Sequence, residues 1–229
     1  MNEDVRKFID DYCILRVPKG STALLAKGAP VDTTNPAHFM RWMFMIKPAL
    51  FDPRVMAVIN NHFFDTYPDI AKGKYQIAGM EHASTAIVTS LLLEAYRRGV
   101  DLHGFSIREL KKTFGTRTWF EGTPDLKRKT ILVDDISSYR RTTFTKGKII
   151  LNEAGLTVQD AYCIINLGIK DEFVHNTTLI KISSMFKKDD FTLELPDDEL
   201  LKELYIPNNA GIKSFSMADL DAEQYDPTE

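Results

Sequence analysis

Apolar residues at the amino end recur with helical spacing: Val5, Phe8, Ile9, Tyr12 and Cys13 stand at i, i+3, i+4, i+7 and i+8. That spacing lays them along one side of a helix and predicts an amphipathic element. Between residues 16 and 50 the period is lost. Pro18, Gly20, Gly28, Pro30, Pro36 and Pro48 break up short apolar runs, so irregular strands and turns are expected. Asp52-Pro53 then supplies an N-cap with proline behind it, opening a helix that aligns Val55, Val58, Ile59, His62 and Phe63 on one face. His62 reads there as a packing residue. From Tyr75 the pattern alternates. Tyr75 to Gly79, Leu102 to Ile107, Thr130 to Asp135 and Asp160 to Asn166 read as strands; Ala83 to Arg98 and Thr142 to Glu153 read as helices stopped by Gly99 and Gly155. Such alternation predicts right-handed crossovers and a mainly parallel sheet, whose ligands bind at the carboxyl ends of the strands. Past residue 170 the pattern weakens: Asp197 to Tyr205 reads as a short helix, and residues 215–229, with five acids and no Lys or Arg, as an acidic tail.

Composition adds that 229 residues, 44% hydrophobic and 27% charged, suffice for one α/β domain with a small appendage. The start, Met1 to Asp4, is acidic with no apolar run behind it, and the longest apolar stretch, Ala86 to Leu93, falls short of the ~20 residues of a membrane span. A cytoplasmic protein with no membrane partner is expected. Cys13 and Cys163 lie in separate apolar segments and read as buried thiols, with no metal site of the Cys/His kind. Charge is unevenly spread. Residues 108–148 carry eleven Lys/Arg against five acids in a chain of net charge −3. A basic island in an acidic protein suits a small polyanion better than a long nucleic acid; a solvated loop is the plainer alternative.

The densest chemistry lies in Ile131-Leu132-Val133-Asp134-Asp135-Ile136-Ser137-Ser138-Tyr139-Arg140-Arg141-Thr142. A buried strand ends in two acids, a hydroxyl-rich turn follows, and a helix begins near Thr142. Helix amino ends favour phosphate, and carboxylates accept hydrogen bonds from sugar hydroxyls. The isolated motif also fits receiver domains and the Walker B strand of nucleotide hydrolases, but the chain has no G-x-x-x-x-G-K-[ST] string. The segment resembles the phosphoribosyl-diphosphate (PRPP) loop of the type I phosphoribosyltransferases. Phe105 to Thr116 is similar to the lid run of their orotate branch, Glu121-Gly122 to the pair closing that lid, and Ile77 to Leu92 to their strand, diphosphate turn and helix. The likeness in order and spacing spans roughly residues 50 to 168.

The resemblance implies a Rossmann-like type I phosphoribosyltransferase fold, α/β, with a mainly parallel sheet flanked by helices and a small hood. Residues 1–50 would form an N-terminal helix and hood, 51–170 the PRPP-binding core, 171–214 further core and hood elements, and 215–229 the tail. It also implies transfer of ribose 5-phosphate from PRPP to a nucleobase, orotate or another pyrimidine-like base, with Mg²⁺ bound, diphosphate released and a homodimer as the working form. Arg108, Lys111 and Lys112 would be the catalytic cations of the lid; Asp134, Asp135, Ser137, Ser138, Arg140, Arg141 and Thr142 would bind PRPP. This chain departs from the pattern at several places. Arg140-Arg141 replaces a glycine pair, so either the arginines take the phosphate themselves or the loop has lost its function. Met80-Glu81-His82-Ala83-Ser84 lacks the usual lysine, and Asn166-Leu167-Gly168-Ile169 stands where orotate enzymes carry Asp-Arg. The alternative reading is a catalytically impaired homologue that binds PRPP or a nucleotide as a regulatory module.

Overall fold

Buried β-strands alternating with apolar-faced helices organise most of the chain. The computed structural model describes residues 2–16, 23–26, 39–40, 42–108, 119–138, 142–168, 170–175, 177–193, 203–208 and 211–216. In chain order the elements are α1 (Asn2–Tyr12), β1 (Ile14–Arg16), β2 (Ala23–Ala26), β3 (Phe39–Met40), β4 (Trp42–Phe44), α2 (Lys47–Leu50), α3 (Pro53–Thr66), β5 (Tyr75–Met80), α4 (Ala83–Arg97), β6 (His103–Ile107), β7 (Phe120–Glu121), β8 (Lys129–Ser137), α5 (Thr142–Glu153), β9 (Val158–Asn166), β10 (Glu172–His175), β11 (Thr178–Lys187), β12 (Glu203–Asn208) and β13 (Gly211–Ser216). Two compact units result, residues 1–8 with 46–190, and residues 9–45 with 191–229.

The larger unit holds a seven-stranded sheet ordered β10-β11-β9-β8-β5-β6-β7. The five inner strands are parallel, and the edges β10 and β7 are antiparallel. The chain moves from β5 out to β6, then returns past β5 to β8 and continues to β9 and β11. The order therefore reverses between β5 and β8, and a crevice opens where successive crossovers lie on opposite faces. One face buries Ala78, Met80, Phe105, Ile107, Leu132, Ala161 and Cys163 against Phe144, Ile150 and Leu151 of α5. The larger of these side chains each contribute about 1.5–3 kcal/mol. On the other face Tyr162 meets Phe63 edge-on and places its hydroxyl 3.0 Å from His62 Nδ1. His62 is thus a packing residue, as its spacing implies.

Local signals operate as the sequence suggests. Asp52 caps α3 by accepting from Arg54 N (2.9 Å) and Val55 N (3.4 Å), with Pro53 following. Both cysteines are buried free thiols. No helix among the described residues is long and apolar enough to cross a membrane. In the smaller unit, β13-β12-β2-β3 form one sheet and β1-β4 a ribbon, and Trp42, Phe44 and Phe191 stack edge-on. One element differs from expectation. The helix expected to run to Tyr205 gives way at residues 203–205 to the start of β12, paired with β2 and β13. An apolar run as short as Leu200-Leu201-Leu204-Tyr205-Ile206 satisfies either period, and here cross-strand pairing decides. Residues 197–202 and 217–229 lie outside the described residues.

Candidate functional site

The reversal point of the strand order sets the site. Gly79, near the end of β5, has no side chain because a Cβ there would lie 2.4 Å from Ser84 Cβ and 2.9 Å from the Val133 carbonyl oxygen. That absence lets the first turn of α4 sit directly on the strand ends, where Ser84 Oγ donates to the Met80 carbonyl. The expected diphosphate turn, Glu81-His82, leaves β5 here through a cis peptide bond, and the Glu81 amide donates to the Ile107 carbonyl (2.8 Å). His82, at the N-cap position of α4, is exposed and makes no side-chain capping bond.

Beside this turn runs β8, and it does not stop at the acids. It continues to Ser137, paired with Asn166 of β9, because the ladder persists two residues beyond the carboxyls. Asp134 and Asp135 are therefore strand residues, and successive strand side chains point to opposite faces. Asp134 (5% exposed) lies on the α5 face opposite Cys163. Its carboxyl accepts the Asp135 amide (3.0 Å) and is hydrogen-bonded to the Asp135 carboxyl and to the Thr143 hydroxyl in the first turn of α5. Burial, reinforced by the neighbouring Asp135 charge, pushes its pKa well above the ordinary carboxylate range. Asp135 is half-buried on the other face. Its Oδ1 accepts the Ile136 amide at 2.8 Å. Its pKa is also raised by burial, against the Ile136 amide, the hydrogen bond with the Asp134 carboxyl and, last, the positive charge of Lys47 in α2.

Ser137 is 2% exposed, and its hydroxyl finds no partner among the described residues. Ser138 is half-buried, and Thr142 is exposed at the first position of α5. Arg108 leaves the end of β6. Its amide donates to Trp119 O (2.8 Å), its guanidinium is ion-paired with Glu121 of β7, and its Nε is buried without a partner among the described residues. The pair staples the base of the hairpin from which the expected lid springs. Lys111, Lys112, Arg140 and Arg141 lie outside the described residues. Gly122, after Glu121, adopts φ +109°, and a Cβ there would lie 2.9 Å from Phe105 Cβ, so the Glu-Gly sequence is needed to turn the chain against β6.

At the end of β9, Asn166 is fully buried and turned into its own loop. Its Oδ1 accepts Gly168 N (2.9 Å) and its Nδ2 donates to Asp171 Oδ1 (3.1 Å). The basic island also disperses. Arg128 sits at the amino edge of the sheet, donating to the Tyr75 and Asp101 carbonyls (3.2 and 3.1 Å) and the Asp101 carboxylate (2.6 Å), and Lys148 is buried in α5. A separate open groove of about 500 Å³ runs along α5, lined by Trp119, Thr145, Lys146 and Ile149, and among the described site residues it shares Thr142. Two participants escape a reading of the sequence. Thr143 carries a signal, a second hydroxyl at a helix start under an acid; Lys47 lies about ninety positions before Asp135 with nothing local to mark it.

This geometry is that of the type I phosphoribosyltransferase fold. The chain is similar to the orotate phosphoribosyltransferase of Mycobacterium tuberculosis H37Rv solved with Fe(III) dicitrate (TM-score 0.58, 11% identity, 84% of this chain and 99% of that one). It is also similar to the adenine phosphoribosyltransferase of Trypanosoma brucei in complex with AMP, pyrophosphate and ribose-5-phosphate (0.54, 15%, 95% and 91%), and to the orotate phosphoribosyltransferase of Aeropyrum pernix (0.53, 15%, 82% and 95%). At these identities the likeness establishes the fold. No family model and no curated protein matches the sequence.

Proposed function

We propose that the chain is a PRPP-dependent phosphoribosyltransferase that transfers ribose 5-phosphate to a nucleobase, orotate or another pyrimidine-like base, and releases diphosphate. The observation that carries this reading is the hydrogen-bonded Asp134–Asp135 carboxyl pair at the β5/β8 reversal, with the first turn of α4 packed on Gly79 beside Val133 and the first turn of α5 bonded to Asp134 through Thr143. Amino ends of helices hold phosphates through backbone N–H groups, and here two of them flank a carboxyl suited to sugar hydroxyls. In the reaction the bond from C1 of the ribose to the diphosphate oxygen breaks, a bond from C1 to the base nitrogen forms, and the nitrogen loses its proton. Cations from the lid, Lys111 and Lys112, would offset the charge that grows on diphosphate, while Arg108 holds the lid base closed through Glu121.

Among the described residues no cluster of three His, Cys, Asp or Glu is poised for a metal. A carboxylate of this kind suits Mg²⁺, which takes one or two carboxylates together with substrate phosphates. Asp135 would hold it. When bound, the ion neutralises part of the diphosphate charge. By the family resemblance the working form is a homodimer.

The test is diphosphate release from PRPP and Mg²⁺ against a panel of bases. Release that depends on one base establishes the transferase. PRPP binding without release with any base selects the regulatory reading, which the Arg108–Glu121 pairing favours by occupying an expected catalytic cation. No binding and no release removes both.

A further inference from the structure

The outer side of α5 carries a pattern that the candidate site does not use. Its inner side, Phe144, Gly147, Ile150 and Leu151, is buried against the sheet. The outer stripe runs Thr142, Lys146, Ile149 and Glu153, at i, i+4, i+7 and i+11, positions that share one face of a helix. These four line the open groove of about 500 Å³ together with Trp119. Ile149 is 39% exposed, and Leu126, 68% exposed, lies beside Gly155 just past the end of the helix. Among the described residues neither Lys146 nor Glu153 is engaged in an ion pair. A helix face that meets water alone carries polar residues throughout. An apolar centre between charged ends is the anatomy of a contact.

The order of these residues says which partner fits. Lys146 and Glu153 stand symmetrically about the midpoint between Ile149 and Ile150. A second α5 turned end for end about that point sets its Glu153 against Lys146, its Lys146 against Glu153, and its Ile149 against Ile150. The stripe is thus complementary to itself, as a two-fold contact requires. A uniformly acidic or basic partner answers one end and is repelled at the other. We infer that the outer stripe of α5 is a contact face for a second copy of this chain, the two helices running antiparallel, with reciprocal Lys146–Glu153 pairs at the rim and Ile149 of each copy in the groove beside Trp119 of the other. A helix of 12 residues is about 18 Å long, so the contact falls short of the roughly 1,200–2,000 Å² of a stable interface. It is a weak, concentration-dependent association. The inference goes beyond a homodimer expected by resemblance: it names the face, uses no ligand contact, and stands whether or not the chain is a transferase. Thr142, which opens α5 at the candidate site, lines the same groove, so the contact lies beside that site.

The experiment is sedimentation equilibrium of the full-length chain without ligand, over a wide range of protein concentration, repeated for charge reversals. The unaltered chain should pass from monomer to dimer as concentration rises. Lys146→Glu and Glu153→Lys each set like charges opposite one another twice per dimer and should weaken association at least about tenfold. The double reversal K146E/E153K restores both pairs with the signs exchanged and should return to within about threefold of the unaltered chain. Ile149→Asp, which places a charge at the apolar centre, should abolish the dimer. All three positions are exposed, so the variants should keep the fold, checked by circular dichroism; should Ile149→Asp unfold, the charge reversals decide alone. A chain that stays monomeric throughout overturns the proposal and leaves the groove to another occupant. A dimer that survives both single reversals is built on another face and overturns it as well, and a double reversal that fails to restore association refutes the antiparallel pairing. Diphosphate release enters none of these outcomes, so the proposed function can fail without this inference, and this inference without it.

Discussion

The two ends of the seven-stranded sheet are built to opposite rules. At the amino edge every prominent polar group is answered. Gln76 Nε2 donates to the Asp125 carbonyl (2.9 Å) and to Thr130 Oγ1 (3.0 Å), its Oε1 accepts the Asp125 amide (2.9 Å), and Arg128 ties β5, β8 and the turn before β6 together. At the carboxyl edge Arg108 Nε and Ser137 Oγ are buried without partners among the described residues, and two adjacent acids sit where burial opposes their charge. Leaving such groups unmet costs about 1–3 kcal/mol each. The chain thus answers its polar groups at the first edge and leaves several unmet at the second, the edge to which the proposed function assigns the ligand.

Arg128→Ala breaks the satisfied edge and carries the largest expected effect. It leaves the Tyr75 and Asp101 carbonyls and the Asp101 carboxylate without their donor. Because Asp101 is largely exposed, the loss is discounted to about 2–3 kcal/mol from the range for interrupted buried pairs. Thermal unfolding should shift down by roughly 4–10 °C, while PRPP affinity, measured well below the transition, stays unchanged. An affinity loss of tenfold or more would erase the distinction between the edges.

Much of this asymmetry is invisible in the sequence, for identifiable reasons. Strand and helix order from Tyr75 to Asn166 is legible because Gly99 and Gly155, at φ +66° and +79°, punctuate strongly periodic segments. The acids are legible as a motif but not as a hydrogen-bonded pair with one member buried and the other half-buried. Their facing depends on how far β8 runs, and the pairing of Ser137 with Asn166 leaves no local trace. The basic island reads as one site because charge along a chain carries no information about which edge of a sheet each residue reaches; Arg128 and Arg108 are twenty positions apart in sequence and end at opposite edges. Asn166 looks like a substitute for a base-contacting pair, and its use in closing its own loop on Asp171 depends on a partner five residues away that offers no pattern.

The pH dependence of stability sharpens the comparison next. Folding raises the Asp134 and Asp135 pKa values. From roughly pH 4, where an unfolded aspartate titrates, upward, the folded chain therefore holds protons that the unfolded chain has released. Stability from these groups is full below that pH and is lost as pH rises through the folded values. Asp52 has the opposite sign: the Arg54 guanidinium beside it holds its pKa down to about 2, so its contribution is present above roughly pH 4, the unfolded value, and lost as pH falls toward the folded one. Thermal midpoints should thus decline as pH rises above roughly 4, the unfolded value. Asp134→Asn should flatten that decline, since every tenfold difference in proton affinity between the folded and unfolded carboxyl is worth about 1.4 kcal/mol, whereas Asp52→Asn should leave it intact and alter the acid limb alone. A midpoint that rises across the same interval would mean the acids are satisfied after all.

The smallest effect, and the most direct probe of the unsatisfied edge, is Ser137→Ala. Its hydroxyl is 2% exposed and unpartnered among the described residues, in a strand otherwise paired through Asn166. Removing it takes away a desolvated group and leaves a void of a single oxygen atom, so the cavity penalty is small and overpacking is avoided. Stability should rise by about 1 kcal/mol, or roughly 2–4 °C in the thermal midpoint. At the amino edge the matching loss of a hydroxyl, Thr130→Val, removes the group that accepts from Gln76 while keeping the buried methyl and should lower stability by about 1 kcal/mol. Opposite signs from one chemical change at the two ends of the same strand are what the comparison requires. If the Ser137 hydroxyl is kept for the ligand, PRPP affinity should fall a few-fold as stability rises; a rise in stability with unchanged affinity would assign Ser137 to packing and leave Asp135 to carry the sugar contact from β8.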